Sequence, residues 1–237
     1  MKGWGYIMKK VLCILLTMIM IFISSCAVAA GKLSTTQENF WVISGWSTYA
    51  YAYAKVENVG NKPIKVNAGV LEVYDENGDV ITSSDYIDAH AKYLQPNEYT
   101  YVTIYSSVEL AENVGKPDDY MLTVTGKTDD SGTTMRLPVE GRLSLGEGSG
   151  WSKGDYVYAT VTNNTEEIAY GISVVYALLD ADGNILCVGD DDIYSSRGLT
   201  PGSSLVFKMS LSSSHMDYFE SKEIKPTSVD VIAYINK

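Results

Sequence analysis

Ser44-Gly-Trp-Ser-Thr-Tyr-Ala-Tyr-Ala-Tyr-Ala-Lys-Val-Glu-Asn58 is answered 105 positions later by Ser149-Gly-Trp-Ser-Lys-Gly-Asp-Tyr-Val-Tyr-Ala-Thr-Val-Thr-Asn163. Tyr51 to Glu57 and Tyr156 to Thr162 alternate with period two, the pattern of a strand that turns one face to a core. Ala52, Ala54 and Val56 share one face, as do Val157, Ala159 and Val161, and these small apolar faces are expected to point inward. Tyr51 and Tyr53, with Lys55 and Glu57, then point outward. So do Tyr156 and Tyr158, with Thr160 and Thr162.

The correspondence persists at the same separation. Val70, Asp75, Gly78 and Asp85 meet Val175, Asp180, Gly183 and Asp190, and Leu94 and Pro96 meet Leu199 and Pro201. Fifteen identities fall between Ser44 and Pro96, where unrelated segments of average composition give about three or four. The chain carries an internal duplication.

Each copy reads as strands joined by turns. Asn58-Val-Gly-Asn-Lys-Pro63 leads into a β-branched run from Ile64 to Tyr74. Asp75-Glu-Asn-Gly78 and Asp180-Ala-Asp-Gly183 supply hairpin chemistry. Further strands are expected at 80–81, 99–105, 120–125 and 133–139, and one or two helical turns at 216–223. Six or seven short strands in about 100 residues predict an antiparallel sandwich. The expectation is all-β, with two tandem immunoglobulin-like sandwiches at 40–141 and 146–237. The Gly146-Glu-Gly-Ser-Gly150 run within 141–150 reads as a hinge. Trp41 belongs to the first strand, and Trp46 and Trp151 are expected to plug the ends of the sandwiches.

Upstream, Lys9-Lys10 precedes an apolar run from Val11 to Ile23 that is broken only by Thr17. This reads as a secretory signal peptide over 1–25, and is shorter than the roughly 20 residues a membrane-spanning helix needs. Ile23-Ser-Ser-Cys26 resembles a bacterial lipobox, which implies lipidation of Cys26, a tether over 26–39 and anchoring to the outer face of the cytoplasmic membrane. Cleavage after Ala29 or Ala30, giving a secreted protein, is the alternative. Of 3 cysteines, Cys13 leaves with the leader and Cys26 carries lipid, so Cys187 has no partner for a disulfide and is expected as buried filler.

Composition narrows the partners. The chain has 18 basic and 29 acidic residues, for a net charge of −11, and three of the basic residues (Lys2, Lys9, Lys10) lie in the leader. Such a surface repels phosphate backbones, so nucleic acid is not an expected partner. The 18 tyrosines against 4 phenylalanines favour strands and half-wet aromatic surfaces.

Leu71-Glu-Val-Tyr-Asp75 and Tyr176-Ala-Leu-Leu-Asp180, each followed by a glycine three residues later, resemble the FxLYD domain of bacterial cell-surface lipoproteins. Leu94-Gln-Pro96 and Leu199-Thr-Pro-Gly202 look like that family's later turn. The phenylalanine of the motif is Leu71 in one copy and Tyr176 in the other, and its tyrosine is Leu179 in the second. The resemblance implies an immunoglobulin-like sandwich on an exported protein. It brings no catalytic residues to carry over.

Candidate sites follow from side-chain type. Tyr51, Tyr53, Tyr156 and Tyr158 form outward pairs of the kind that stack on sugars or dock proteins; a cross-strand aromatic ladder is the structural alternative. Asp180 and Asp182, with Asp190 nearby, offer oxygen donors, but Gly78 and Gly183 fall at the fourth position rather than the sixth of a calcium loop. These are weak candidates beside a plain hairpin turn, and no metal or cofactor is expected. His90 and His215 occupy non-equivalent positions, and no hydrolase, zincin or phosphate-loop motif occurs. The expected function is a non-enzymatic surface binding or spacer module. Its partners would be the membrane lipid and a surface protein, or alternatively a cell-wall glycan bound by the tyrosines.

Overall fold

The computed structural model describes residues 31–109, 115–149, 153–193 and 198–236. The signal peptide, Cys26, both alternative cleavage sites and Trp151 lie outside them. The described residues are mostly strand, arranged in several antiparallel sheets.

In chain order the strands are β1 (Leu33–Ser44), β2 (Thr48–Asn58), β3 (Ile64–Asp75), β4 (Val80–Ser84), β5 (Ile87–Ala89), β6 (Tyr93–Leu94), β7 (Tyr99–Ser107) and β8 (Pro117–Thr128) in the first half. The second half holds β9 (Thr134–Leu137), β10 (Val139–Glu147), β11 (Gly154–Thr162), β12 (Ile172–Leu179), β13 (Ile185–Ile193), β14 (Ser204–Ser210), the helix α1 (Ser213–Ser221) and β15 (Ser228–Asn236). One sheet of the first half runs β1-β2-β7-β5, and in the other β3 pairs with β4, β6 and β8. The second half repeats this as β10-β11-β14 and β13-β12-β15-β9.

Strand β9 decides where the halves divide. It pairs with β15, so the chain passes from one pair of sheets to the other at 129–133, ahead of the glycine-rich 141–150 segment. Residues 141–147 of that segment lie instead in β10, because Val139 to Glu147 pair with Val161 to Gly154. Likewise β1 begins at Leu33, inside the stretch read as a tether.

The duplicated residues repeat the same bonds. Asn58 and Asn163 are fully buried, and each amide Nδ2 donates to two carbonyls: Lys62 and Leu94 for the first, Glu167 and Leu199 for the second. The Asp75 carboxylate accepts the backbone N–H groups of Asn77 and Asp79, and Asp180 those of Asp182 and Asn184. Gly78 and Gly183 close these turns at φ +83° and +82°, a region nearly closed to other residues. The hairpin reading of Asp180 and Asp182 is what the geometry displays.

In the first half, Ala50, Ala52, Ala54 and Val56 of β2 face a core shared with Ile64, Leu71 and Val73 of β3. Small side chains on one sheet and branched ones on the other let the sheets interlock at close range. In the second, Val157, Ala159, Val161, Phe207 and Met209 cluster with Val174 to Leu178 and Ile232 to Ile235. Trp46, expected to plug an end, is fully exposed at 108%. It sits in the turn after β1, where no neighbouring strand covers it.

Candidate functional site

The inward and outward faces of β2 fall as the alternation requires, but the outward face is not free. Tyr53 is 2% exposed, and together with Ala91 and Tyr101 it belongs to the core cluster of the second half. Trp41, Tyr51 and Tyr99 pack against the same cluster. The outer face of the first half's β1-β2-β7 sheet is therefore docked on the second half.

Polar contacts fix this docking. Asn39 Nδ2 donates to the Ile185 carbonyl at 2.5 Å and Trp41 Nε1 to that of Leu186 at 2.6 Å, satisfying carbonyls on the edge strand β13. The Tyr99 and Tyr101 hydroxyls both donate to Asp230 Oδ2, at 2.9 and 2.5 Å, and Lys55 Nζ lies 3.8 Å from the same oxygen. Arg136 Nη2 donates to the Tyr99 carbonyl. Burial, reinforced by Asp230, pushes both phenols well above the ordinary tyrosine pKa, so they stay protonated donors.

Tyr53 meets His215 of α1, its hydroxyl 2.7 Å from Nε2, and His215 Nδ1 is 3.1 Å from Ser212 Oγ. Burial raises the Tyr53 phenol well above 10 and lowers His215 to about 4. A protonated phenol donating to a neutral imidazole, whose Nδ1–H donates to Ser212, satisfies every group.

Tyr156 and Tyr158 occupy the equivalent strand of the second half, where both are only part-buried among the described residues. Lys208 Nζ sits 3.8 Å from the Tyr156 ring centre, and the Arg142 guanidinium 4.3 Å from that of Tyr158. The Tyr158 hydroxyl donates to Glu147 at 2.6 Å, and Lys208 donates to the same carboxylate at 3.1 Å. These bonds, with one from Ser144, hold the Glu147 carboxyl at about 2. This face is half-wet, aromatic and bears both charges; Val206 beside it is 57% exposed.

Among the described residues Asp190 groups with neither Asp180 nor Asp182. It stands across the interface from the first half, beside His90 and Asp88. Burial raises its carboxyl, the neighbouring Asp88, Asp192 and Asp191 add to that, and His90 opposes it. Cys187, the buried cysteine of β13, has its thiol pushed up to about 12 by burial. That is the behaviour of apolar filler.

Sequence reasoning missed the docking because its contacts join residues about 130 to 160 positions apart. One signal was present: Val174 to Leu178 lacks the alternation that the equivalent strand β3 shows, and such a run marks a strand covered on both faces. No protein-family model matches the chain, and no curated protein matches it in sequence.

Proposed function

We propose that this chain is a non-enzymatic, exported surface lipoprotein. It would be anchored through Cys26 to the outer face of the cytoplasmic membrane, and its two immunoglobulin-like halves would act as one rigid binding module. The docking of the first tyrosine face onto the second half carries the reading. It turns two lobes on a chain into a single body and leaves one aromatic face, around Tyr156 and Tyr158, open for a partner. Two groups often recruited for catalysis have structural settings here: His215 is bonded on both ring nitrogens within the interface, and Cys187 is buried with a raised thiol pKa. The strand and turn pattern around Leu71 and Tyr176 supports kinship with the FxLYD lipoproteins.

The open face favours a cell-wall glycan as the partner over a flat protein surface. Tilted rings 6.4 Å apart, flanked by Arg142, Lys208 and Glu147, offer the stacking platform and polar edge that a sugar needs. The test is co-sedimentation with purified bacterial cell walls. A Tyr156→Ala/Tyr158→Ala double variant, folded by circular dichroism, is expected to lose retention at least tenfold; equal retention would discard the tyrosine face as the site. Mass spectrometry of the mature N-terminus checks the anchor, an acylated Cys26 being the expected result.

A further inference from the structure

At one edge of the docking interface, His90 is 96% buried by its side chain, yet neither ring nitrogen has a hydrogen bond. Nε2 is buried with no partner. Nδ1 lies 3.9 Å from Asp88 Oδ1 and 3.9 Å from Asp190 Oδ2, beyond hydrogen-bond reach of both. Nδ1 is thus the ring nitrogen that faces the two carboxylates, and none of the described residues bonds it. The imidazole lines a cleft of about 480 Å³ that Lys92, Tyr170, Asp192 and Tyr234 also border.

We infer that Asp88, His90 and Asp190 form a binding site for a divalent transition-metal ion, of which zinc is the best match. The three ligand atoms lie within 4.8 Å of one another. With both nitrogen-to-oxygen separations at 3.9 Å, a point equidistant from all three is at most about 2.5 Å from each. Rotation of the two carboxylates, both on exposed residues, closes the remaining few tenths of an ångström to the 2.0–2.2 Å of zinc–nitrogen and zinc–oxygen bonds. One imidazole with two carboxylates suits zinc or manganese; calcium, which takes six to eight oxygens, is poorly served by it. Three protein ligands also leave a coordination position open in the cleft.

The ligands come from both halves. Asp88 and His90 lie in and just after β5, and Asp190 is on β13. The positions equivalent to His90 and Asp88 in the second copy are Ser195 and Ile193, so the duplication did not supply this site twice. It exists only where the halves meet, and a bound ion ties them together. The inference is independent of the glycan reading, since the cleft uses none of its tyrosines.

The test is calorimetric titration of the chelator-treated full chain with zinc chloride at neutral pH. One equivalent is expected to bind with Kd below about 10 µM and to raise the melting temperature, while millimolar calcium does neither. Asp190→Asn and Asp88→Asn, at exposed carboxylates, are each expected to weaken zinc binding at least tenfold without lowering the stability of the metal-free protein. His90→Gln is expected to abolish binding and the visible absorption bands of the cobalt-loaded protein. Absence of zinc binding to the wild type would overturn the inference. So would equal zinc binding by the two aspartate variants, which would place the ion elsewhere on the acidic surface.

Discussion

The equivalent strands β3 and β12 descend from the same stretch of the duplicated sequence and live in different surroundings. In β3 burial alternates, with Leu71 and Val73 fully buried while Val70 is 38% exposed. In β12, Val174, Val175, Tyr176, Ala177 and Leu178 are all buried. The difference lies in what covers the outer face: none of the described residues for β3, and the aromatic sheet of the first half for β12. The tyrosine strands show the reciprocal difference, with Tyr53 of β2 buried and Tyr158 of β11 half-open. Duplication produced two similar lobes, and a one-way docking between them made the copies unequal. Such head-to-tail contact uses a different face of each copy and leaves one of each kind unpaired.

Substitutions at equivalent tyrosines probe that inequality most strongly. Tyr53→Ala is expected to destabilise the protein by about 3 to 5 kcal/mol, as loss of a buried aromatic does. Tyr158→Ala is expected to lower stability by no more than about 1 kcal/mol, the scale of an exposed cation–π contact. Urea denaturation of the two variants measures both, and similar values would mean that the two faces are equally covered.

Asp230→Ala tests the polar side of the same contact. It strands the Tyr99 and Tyr101 hydroxyls and removes the partner of Lys55, so a loss of about 1 to 3 kcal/mol is expected. In a Tyr99→Phe/Tyr101→Phe background the same substitution should matter less, which a double-mutant cycle reads directly.

Acid should loosen the docking through His215. Its folded pKa of about 4 lies below the ordinary histidine value, so between about pH 6.5 and 4 the unfolded chain binds a proton that the folded chain refuses. Stability is therefore unaffected by this group above that window and falls as the pH drops through it. His215→Gln is expected to flatten the slope of melting temperature against pH there.

The smallest effect belongs to the open face. Glu147, held at about 2 by Tyr158, Lys208 and Ser144, contributes stability above the ordinary glutamate range and loses it as pH falls toward 2. Glu147→Gln should remove only that shallow acid-side slope, leaving the pH 6.5–4 behaviour of His215 intact.

What the sequence made legible is local. The alternation of Tyr51 to Glu57 sets which side of β2 faces its core. The turn residues Asp75 and Gly78 specify a hairpin through bonds to neighbours four residues away or fewer, and their counterparts Asp180 and Gly183 do the same. Contacts made across the duplication leave little beyond the unbroken apolar run from Val174 to Leu178. Asn39 bonds the carbonyl of Ile185 through a backbone atom that every residue possesses, and His90 meets Asp190 only after two sheets have packed. Trp46 failed as a plug for a related reason: a turn tryptophan is buried only if a neighbouring element arrives above it, and here none does.

The order of the chain gives the one-way docking a consequence in time. Synthesis proceeds from the N-terminus, so β1, β2 and β7 are complete before β12, β13 and α1 exist, and domains generally fold as they emerge. For that interval Trp41, Tyr53 and Tyr101 form an uncovered aromatic face on a lobe that has otherwise finished folding. A nascent or truncated chain ending near residue 130 carries the stickiest surface of the protein with its natural cover missing. Such fragments should bind chaperones and hydrophobic dyes that the complete chain ignores. Completion of β15, whose Asp230 captures both tyrosine hydroxyls, is the moment at which that exposure ends.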